Sequence, residues 1–210
     1  MYQTYYNLLL IRAENGYRHG DKLRDSYQEL YSRLDTEVIR PCLEIASRAL
    51  ELESGEGLES VWFRSGPGAY QLRLAHYVPA GGGGRLLYGE HTDYDGLTFL
   101  WRNRSNGLQA SCQGHWQDIP LLDSQPDALL INLGDLMEFW TSSSWTSPLH
   151  RVVRGAQGDL PLVSVVMFAG PHQDTRLAPL ASPLLPALNT GTEEITAGQH
   201  VRNKIDKTAL

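Results

Sequence analysis

The sequence predicts a mainly β domain with flanking helices, arranged as a jelly roll. Three observations predict it. Apolar residues recur at helical spacing from Leu23 to Leu52 and switch to a period of two from Ala69 onward. Short apolar runs separated by turn residues then follow one another as far as Ala169. The length, 210 residues, suits one domain with a substantial core.

Residues 1–22 are read as a short N-terminal segment, and 23–68 as a scaffold helix region with its connection. Leu23, Tyr27, Leu30, Tyr31, Leu34, Val38, Ile45, Ala46, Ala49 and Leu50 form the helical apolar stripe. A helix packed outside the barrel is the expectation, in preference to a partner-binding helix. Pro41 lies inside the run and should kink or divide it.

Residues 69–180 are expected to form the jelly-roll core. Tyr70, Leu72, Leu74, His76 and Val78 would share one strand face, with Gln71, Arg73, Ala75 and Tyr77 on the other. Pro79 to Gly84 contains four consecutive glycines and predicts a mobile loop or lid. Further strands are expected at Leu97 to Trp101, Gly107 to Cys112, Trp116 to Ile119, Ala128 to Leu133, Arg151 to Val153 and Leu162 to Ala169. Residues 181–210 should hold a loop, Ala181 to Gly191, and a short surface helix, Ala197 to Lys207.

The most informative motif is His91-Thr92-Asp93, followed much later by His150 in Pro148-Leu149-His150-Arg151-Val152. Two imidazoles and a carboxylate are the ligand set that holds a mononuclear non-haem Fe(II) and leaves positions open for substrate and O₂. In an extended segment His91 and Asp93 point to the same face. His150 must then come from a strand folded back beside them. A bare His-x-Asp is an ordinary loop pair as often as a ligand pair; the second histidine in a strand-like context decides for the metal.

Other residues read more plainly. His76, His115, His172 and His200 lack a partner pattern and are expected to be structural or solvent-exposed. Asp95 could replace Asp93 as a ligand, and Asp135 more naturally fixes a turn than acts as an acid. Trp140 and Trp145 should pack the connection leading to His150. Ser65 lacks a nucleophile-elbow setting, and Gly81 to Gly84 lacks the Lys-Ser/Thr of a phosphate loop.

Composition narrows the partners. A net charge of −6 argues against general affinity for nucleic acid or anionic membrane. No apolar run is long enough to span a bilayer, and the first residues lack signal-peptide order. Cys42 and Cys112 are the only cysteines and have no metal-type spacing, which suits a reducing, cytoplasmic setting. A small-molecule substrate and O₂ are the expected partners.

From Gln71 onward the chain resembles a known family, the isopenicillin N synthase-like branch of the Fe(II)/2-oxoglutarate-dependent dioxygenases. The resemblance is carried by Leu72-Arg73-Leu74-Ala75-His76-Tyr77, Gly89-Glu90-His91-Thr92-Asp93-Tyr94, Gly107-Leu108-Gln109, Trp116-Gln117-Asp118-Ile119-Pro120, Ile131-Asn132-Leu133-Gly134-Asp135, His150-Arg151-Val152-Val153 and Ile195-Thr196-Ala197-Gly198-Gln199-His200, in the family's order. It implies a distorted double-stranded β-helix with iron held by His91, Asp93 and His150 at one mouth. It implies 2-oxoglutarate as co-substrate, bound with help from Tyr77 and Ser164. Oxidative decarboxylation of that co-substrate would drive hydroxylation, desaturation or ring closure of a small molecule. Leu97, Phe99, Leu162 and Phe168 are expected as pocket wall. The family's members also carry a longer N-terminal region, so this chain is short for the family, whether naturally or by truncation.

Two positions depart from the family's pattern. Leu162 stands where the resemblance implies the Arg of Arg-x-Ser, the residue that pairs with the far carboxylate of 2-oxoglutarate. Ala75 replaces the Asn of Asn-x-Tyr. A bidentate Arg–carboxylate pair is strong and directional, so its loss predicts weaker co-substrate binding unless another cation takes the place. Three readings stay open: 2-oxoglutarate binds with a basic residue from elsewhere; the enzyme uses Fe(II) and O₂ without it; or the protein is a non-catalytic binding module. Arg73 shares a strand face with Tyr77, but four residues along a strand is about 13 Å, a long reach.

Overall fold

The computed structural model describes residues 21–53, 55–77, 86–103, 107–121, 125, 127–154, 162–186 and 195–208. The expected glycine lid at Pro79 to Gly84 lies outside them, as do most of the N-terminal segment and part of the loop expected over Ala181 to Gly191.

The long helical stripe folds as α1, Asp21–Arg33, and α2, Arg40–Ala49, joined through Leu34–Ile39 in wider π-helical winding. Pro41 is the second residue of α2 and follows directly on the π-helical winding, whose last bond runs from the Arg40 N–H to the Asp35 carbonyl. The division expected at Pro41 therefore takes the form of a change in winding just before it. A five-residue helix, α3, Leu58–Trp62, follows. It is too short to leave a helical period in the sequence.

Among the described residues, eight strands then form two four-stranded sheets. They are β1 Ala69–Tyr77, β2 Leu86–His91, β3 Leu97–Arg102, β4 Leu108–Cys112, β5 His115–Asp118, β6 Leu130–Leu133, β7 His150–Val153 and β8 Leu162–Gly170. One sheet runs β1-β8-β3-β6 and the other β2-β7-β4-β5, with every pair antiparallel. This is the double-stranded β-helix the sequence predicted. A six-residue helix, α4, Asp135–Trp140, links β6 to β7, and α5, Ala197–Thr208, closes the chain.

The first sheet is covered on both sides. Leu97 and Phe99 of β3 and Met167 and Ala169 of β8 join Ile39, Leu43, Leu58, Trp62, Leu136 and Trp140 in one hydrophobic core between sheet and helices. Tyr70 and Leu72 of β1 pack on the same side. The opposite face of this sheet looks toward the second sheet and walls a cavity. Helix and sheet are also pinned by polar contacts. Tyr70 Oη donates to Asp35 Oδ1 at 2.5 Å, while Arg40 donates to Asp35 at 3.1 Å and to Glu59 at 2.6 Å.

Trp62 is fully buried, with its ring centroid 5.8 Å from that of Trp140. It also fills the space above Gly96, where an added Cβ would come within 2.4 Å of the indole. Trp62→Ala should cost about 3–5 kcal/mol of stability by denaturant unfolding, as large-to-small core substitutions do.

Candidate metal centre and pocket

His91 ends β2 and His150 begins β7, and the two stand opposite each other in the β2–β7 register. Asp93 lies beyond the end of β2, in the turn leading to β3, rather than on the strand itself. The three nonetheless converge. Asp93 Oδ1 is 3.9 Å from His91 Nε2 and 3.7 Å from His150 Nε2, and all three ligand atoms fall within 4.8 Å of one another. Two atoms each about 2.0–2.2 Å from one ion lie no more than about 4.4 Å apart, and both separations to Asp93 meet that limit. Among the described residues this is the one cluster of three such side chains able to hold a metal.

Each ligand is oriented by a neighbour. His91 Nδ1 is 2.8 Å from the Gly89 carbonyl and His150 Nδ1 is 2.9 Å from the Pro148 carbonyl. A carbonyl only accepts, so both rings carry the proton on Nδ1 and turn the Nε2 lone pair toward the shared point. Burial, and after it the neighbouring His150, holds His91 below the ordinary imidazole range, which favours the neutral ring a metal requires. Asn132 Nδ2 donates to Asp93 Oδ2 at 2.8 Å, leaving Oδ1 for the centre.

The turn carrying Asp93 is clasped by the start of α4. The Asp93 carbonyl accepts the Asp135 N–H at 2.8 Å, and the Asp95 carbonyl accepts the Leu136 N–H at 3.2 Å. These are two of the N–H groups a helix leaves unpaired in its first turn. Gly134 makes the approach possible, because a Cβ there would sit 2.1 Å from the Asp95 carbonyl oxygen. Asp95 itself does not join the ligands. Its carboxyl lies against Gly170, and burial, then the charge of Asp93, pushes it up to about 6. Asp135 holds the turn, as expected, accepting from Thr92 Oγ1 at 3.3 Å and pairing with Lys204 Nζ at 2.8 Å.

The triad opens into a cavity of about 270 Å³ between the two sheets. Of the residues the sequence proposed, Tyr77, Ser164, Leu162 and Phe168 line it. Leu97 and Phe99 do not. They point the other way, 3% and 2% exposed, into the core beneath the helices. The correction has a simple cause. β3 is largely buried on both faces, and Leu100 puts an apolar residue on the pocket parity too, so apolar character alone does not announce which face is the pocket. Thr98, Leu100 and Arg102 are the inward residues. The polar pair Thr98 and Arg102 was the available signal.

Wall residues left unassigned in the sequence include Asn132, which holds Asp93; Tyr88, whose ring meets His91 edge-on at 4.6 Å; and Arg102, 3% exposed. Arg73 also lines the cavity, its guanidinium carbon 5.0 Å from the Tyr88 ring centroid and thus on the His91 side.

Two antiparallel sheets with a His-Asp-His cluster at the cavity wall are the features to be placed, and comparison with known proteins gives the family. Residues 69–175, half of the chain, match the model of the 2OG-Fe(II) oxygenase superfamily, and the chain belongs to that superfamily. A UPF0676 protein of Schizosaccharomyces pombe is 29% identical over 180 residues, covering 80% of this chain and 54% of its own length. The 2-oxoglutarate-dependent dioxygenase citB of Monascus ruber is 35% identical over 125 residues, covering 56% of this chain and 36% of its own length. The chain thus spans about half, or less, of the length of these relatives. A Caulobacter crescentus protein assigned to the 2OG-Fe(II) oxygenase family has a crystal structure that superposes with a TM-score of 0.75 at 26% identity, covering 93% of this chain and 63% of that one.

Two outcomes test the centre. Asn132→Ala should lower affinity for Mn(II) by about ten- to a hundredfold with the fold intact, as losses of ligand-orienting partners do; unchanged affinity in a metal titration would show that Asp93 needs no such support. Gly134→Ala should separate α4 from the metal turn and lower both the melting temperature and metal affinity.

Proposed function

We propose that the protein is a non-haem Fe(II) oxygenase of a small molecule, with His91, Asp93 and His150 as the iron ligands and 2-oxoglutarate as co-substrate. The observation that carries this reading is the convergence of three pre-oriented ligand atoms at the wall of an apolar cavity. The family match and the 2-oxoglutarate-dependent relative support it. The order of the motifs supports placement in the isopenicillin N synthase-like branch.

Iron bound there would supply activation of O₂ at positions left open by the three ligands. The chain's own residues do the rest. The Gly89 and Pro148 carbonyls and Asn132 keep the ligands turned inward. Leu100, Leu130, Val166 and Phe168 supply an apolar wall that limits water near the reacting atoms. Tyr77 and Ser164 offer hydroxyls to the co-substrate. A cavity of this size suits a small molecule rather than a polymer. No helix among the described residues is long and apolar enough to cross a membrane. Cys42 and Cys112 are both free thiols, which supports a reducing compartment such as the cytoplasm.

Leu162 is the observation that favours a second reading, an Fe(II)/O₂ oxidase that dispenses with 2-oxoglutarate. Oxygen uptake separates the two. Fe(II)-loaded protein is expected to consume O₂ and release succinate only when 2-oxoglutarate is present. His150→Ala should abolish both signals. Uptake without 2-oxoglutarate, and without succinate, would establish the second reading instead.

A further inference from the structure

We propose that Arg102, on β3, binds the far carboxylate of the 2-oxoglutarate co-substrate, replacing from the neighbouring strand the cation that is absent at Leu162. The inference rests on the reading of the site as a 2-oxoglutarate site.

The register carries it. Across β3 and β8, Arg102 stands opposite Ser164; across β1 and β8, Tyr77 stands opposite Leu162. Leu162 and Ser164 are two apart on one strand and both face the cavity. Leu162 is thus surrounded by Tyr77, Ser164 and Arg102. Diagonal neighbours on an antiparallel pair are about 7–8 Å apart, within reach of a long side chain. A guanidinium rooted at 102 can therefore serve the volume that one rooted at 162 would serve. Asn103 locks this alignment from just beyond the strand: its N–H donates to the Val163 carbonyl at 3.1 Å, and its Oδ1 accepts the Val163 N–H at 2.9 Å.

Charge and chemistry agree with the placement. The cavity wall carries two guanidiniums, Arg73 and Arg102, and one carboxylate, Asp93, which faces the metal ligands. Arg73 lies against Tyr88 on the His91 side. Arg102 lies beside Ser164, four residues along β3 from Thr98, whose strand partner Asn132 holds Asp93. A two-ended diacid with one end at the metal would present its other end there. Burial draws the Arg102 guanidinium below the usual arginine range, the mark of a charge removed from water. A ligand carboxylate offsets that cost. Arg102 Nη2 donates to the Ile119 carbonyl, which fixes the plane of a group bearing five N–H donors in a fork suited to carboxylates.

The test uses calorimetry on Mn(II)-loaded protein with two ligands, 2-oxoglutarate and 2-oxopentanoate. The second has the same carbon chain without the far carboxylate. The native protein should prefer 2-oxoglutarate. Arg102→Leu should lose on the order of ten- to a hundredfold in affinity for it, the contribution of a charge-assisted hydrogen bond. Affinities for 2-oxopentanoate and for Mn(II) should not change. A second variant guards against misfolding: combining Arg102→Leu with Leu162→Arg returns the cation from β8 and should restore the preference. If Arg102→Leu keeps the native preference, the far carboxylate is held elsewhere and the inference is overturned, with the co-substrate reading left standing. If the native protein binds Mn(II) but shows no preference for 2-oxoglutarate, both are overturned. Equal losses for both 2-oxo acids and the metal, unrelieved by the second variant, would mean that Arg102 only ties β3 to Ile119, and that too overturns it.

Discussion

The backbone N–H groups that open α4 reach into the turn that follows β2, and the geometry of the site depends on that contact. Asp93 and Asp95 give up their carbonyls to Asp135 and Leu136. A turn of five residues with one strand on each side would otherwise be free to swing. Gly134 permits the approach because any side chain would collide with the Asp95 carbonyl. The same contact pairs helix N–H groups that would otherwise need a cap or water. Ligand placement and helix termination are thus one set of hydrogen bonds, and Asn132, two residues before Gly134, adds its amide to the Asp93 carboxylate.

The sheet β1-β8-β3-β6 extends this economy of space. Its outer face is sealed by α2, α3 and α4 through Trp62, Trp140, Leu97, Phe99 and Met167. Its inner face carries Ser164, Arg102, Thr98 and Phe168. Stability is concentrated on one parity of each strand and ligand chemistry on the other. Polar residues can therefore enter the pocket face without weakening the core that holds the strands in register. His91 and His150 come from the opposite sheet, so the centre exists only where the two sheets meet.

Much of this was legible in the chain. The change of period near Ala69, the spacing of His91 and Asp93 and the setting of His150 depend on local pattern, and local pattern survives in sequence. Tyr77 and Ser164, which the family resemblance pointed to, both line the cavity. α3 and α4 were not found, since five or six residues span too few turns to show a helical period. Leu97 and Phe99 belong to the core face instead of the pocket, because the more apolar parity of β3 packs under the helices and the polar pair Thr98 and Arg102 faces the cavity. Arg102 was passed over because its partner in space, Ser164, lies sixty-two residues away by number and one strand away by register.

The sequence by itself determined the class of fold and nominated His91, Asp93 and His150 through residue type and local pattern, while Leu162 stood out only through the resemblance to the family. Which face of β3 meets the cavity, which backbone atoms aim the ligands and which arginine stands beside Ser164 were decided only in the tertiary structure. Those depend on strand register and on the packing of one sheet between helices and cavity. Register is a long-range choice, and a shift of one residue would exchange the core face for the pocket face without altering the composition of the strand.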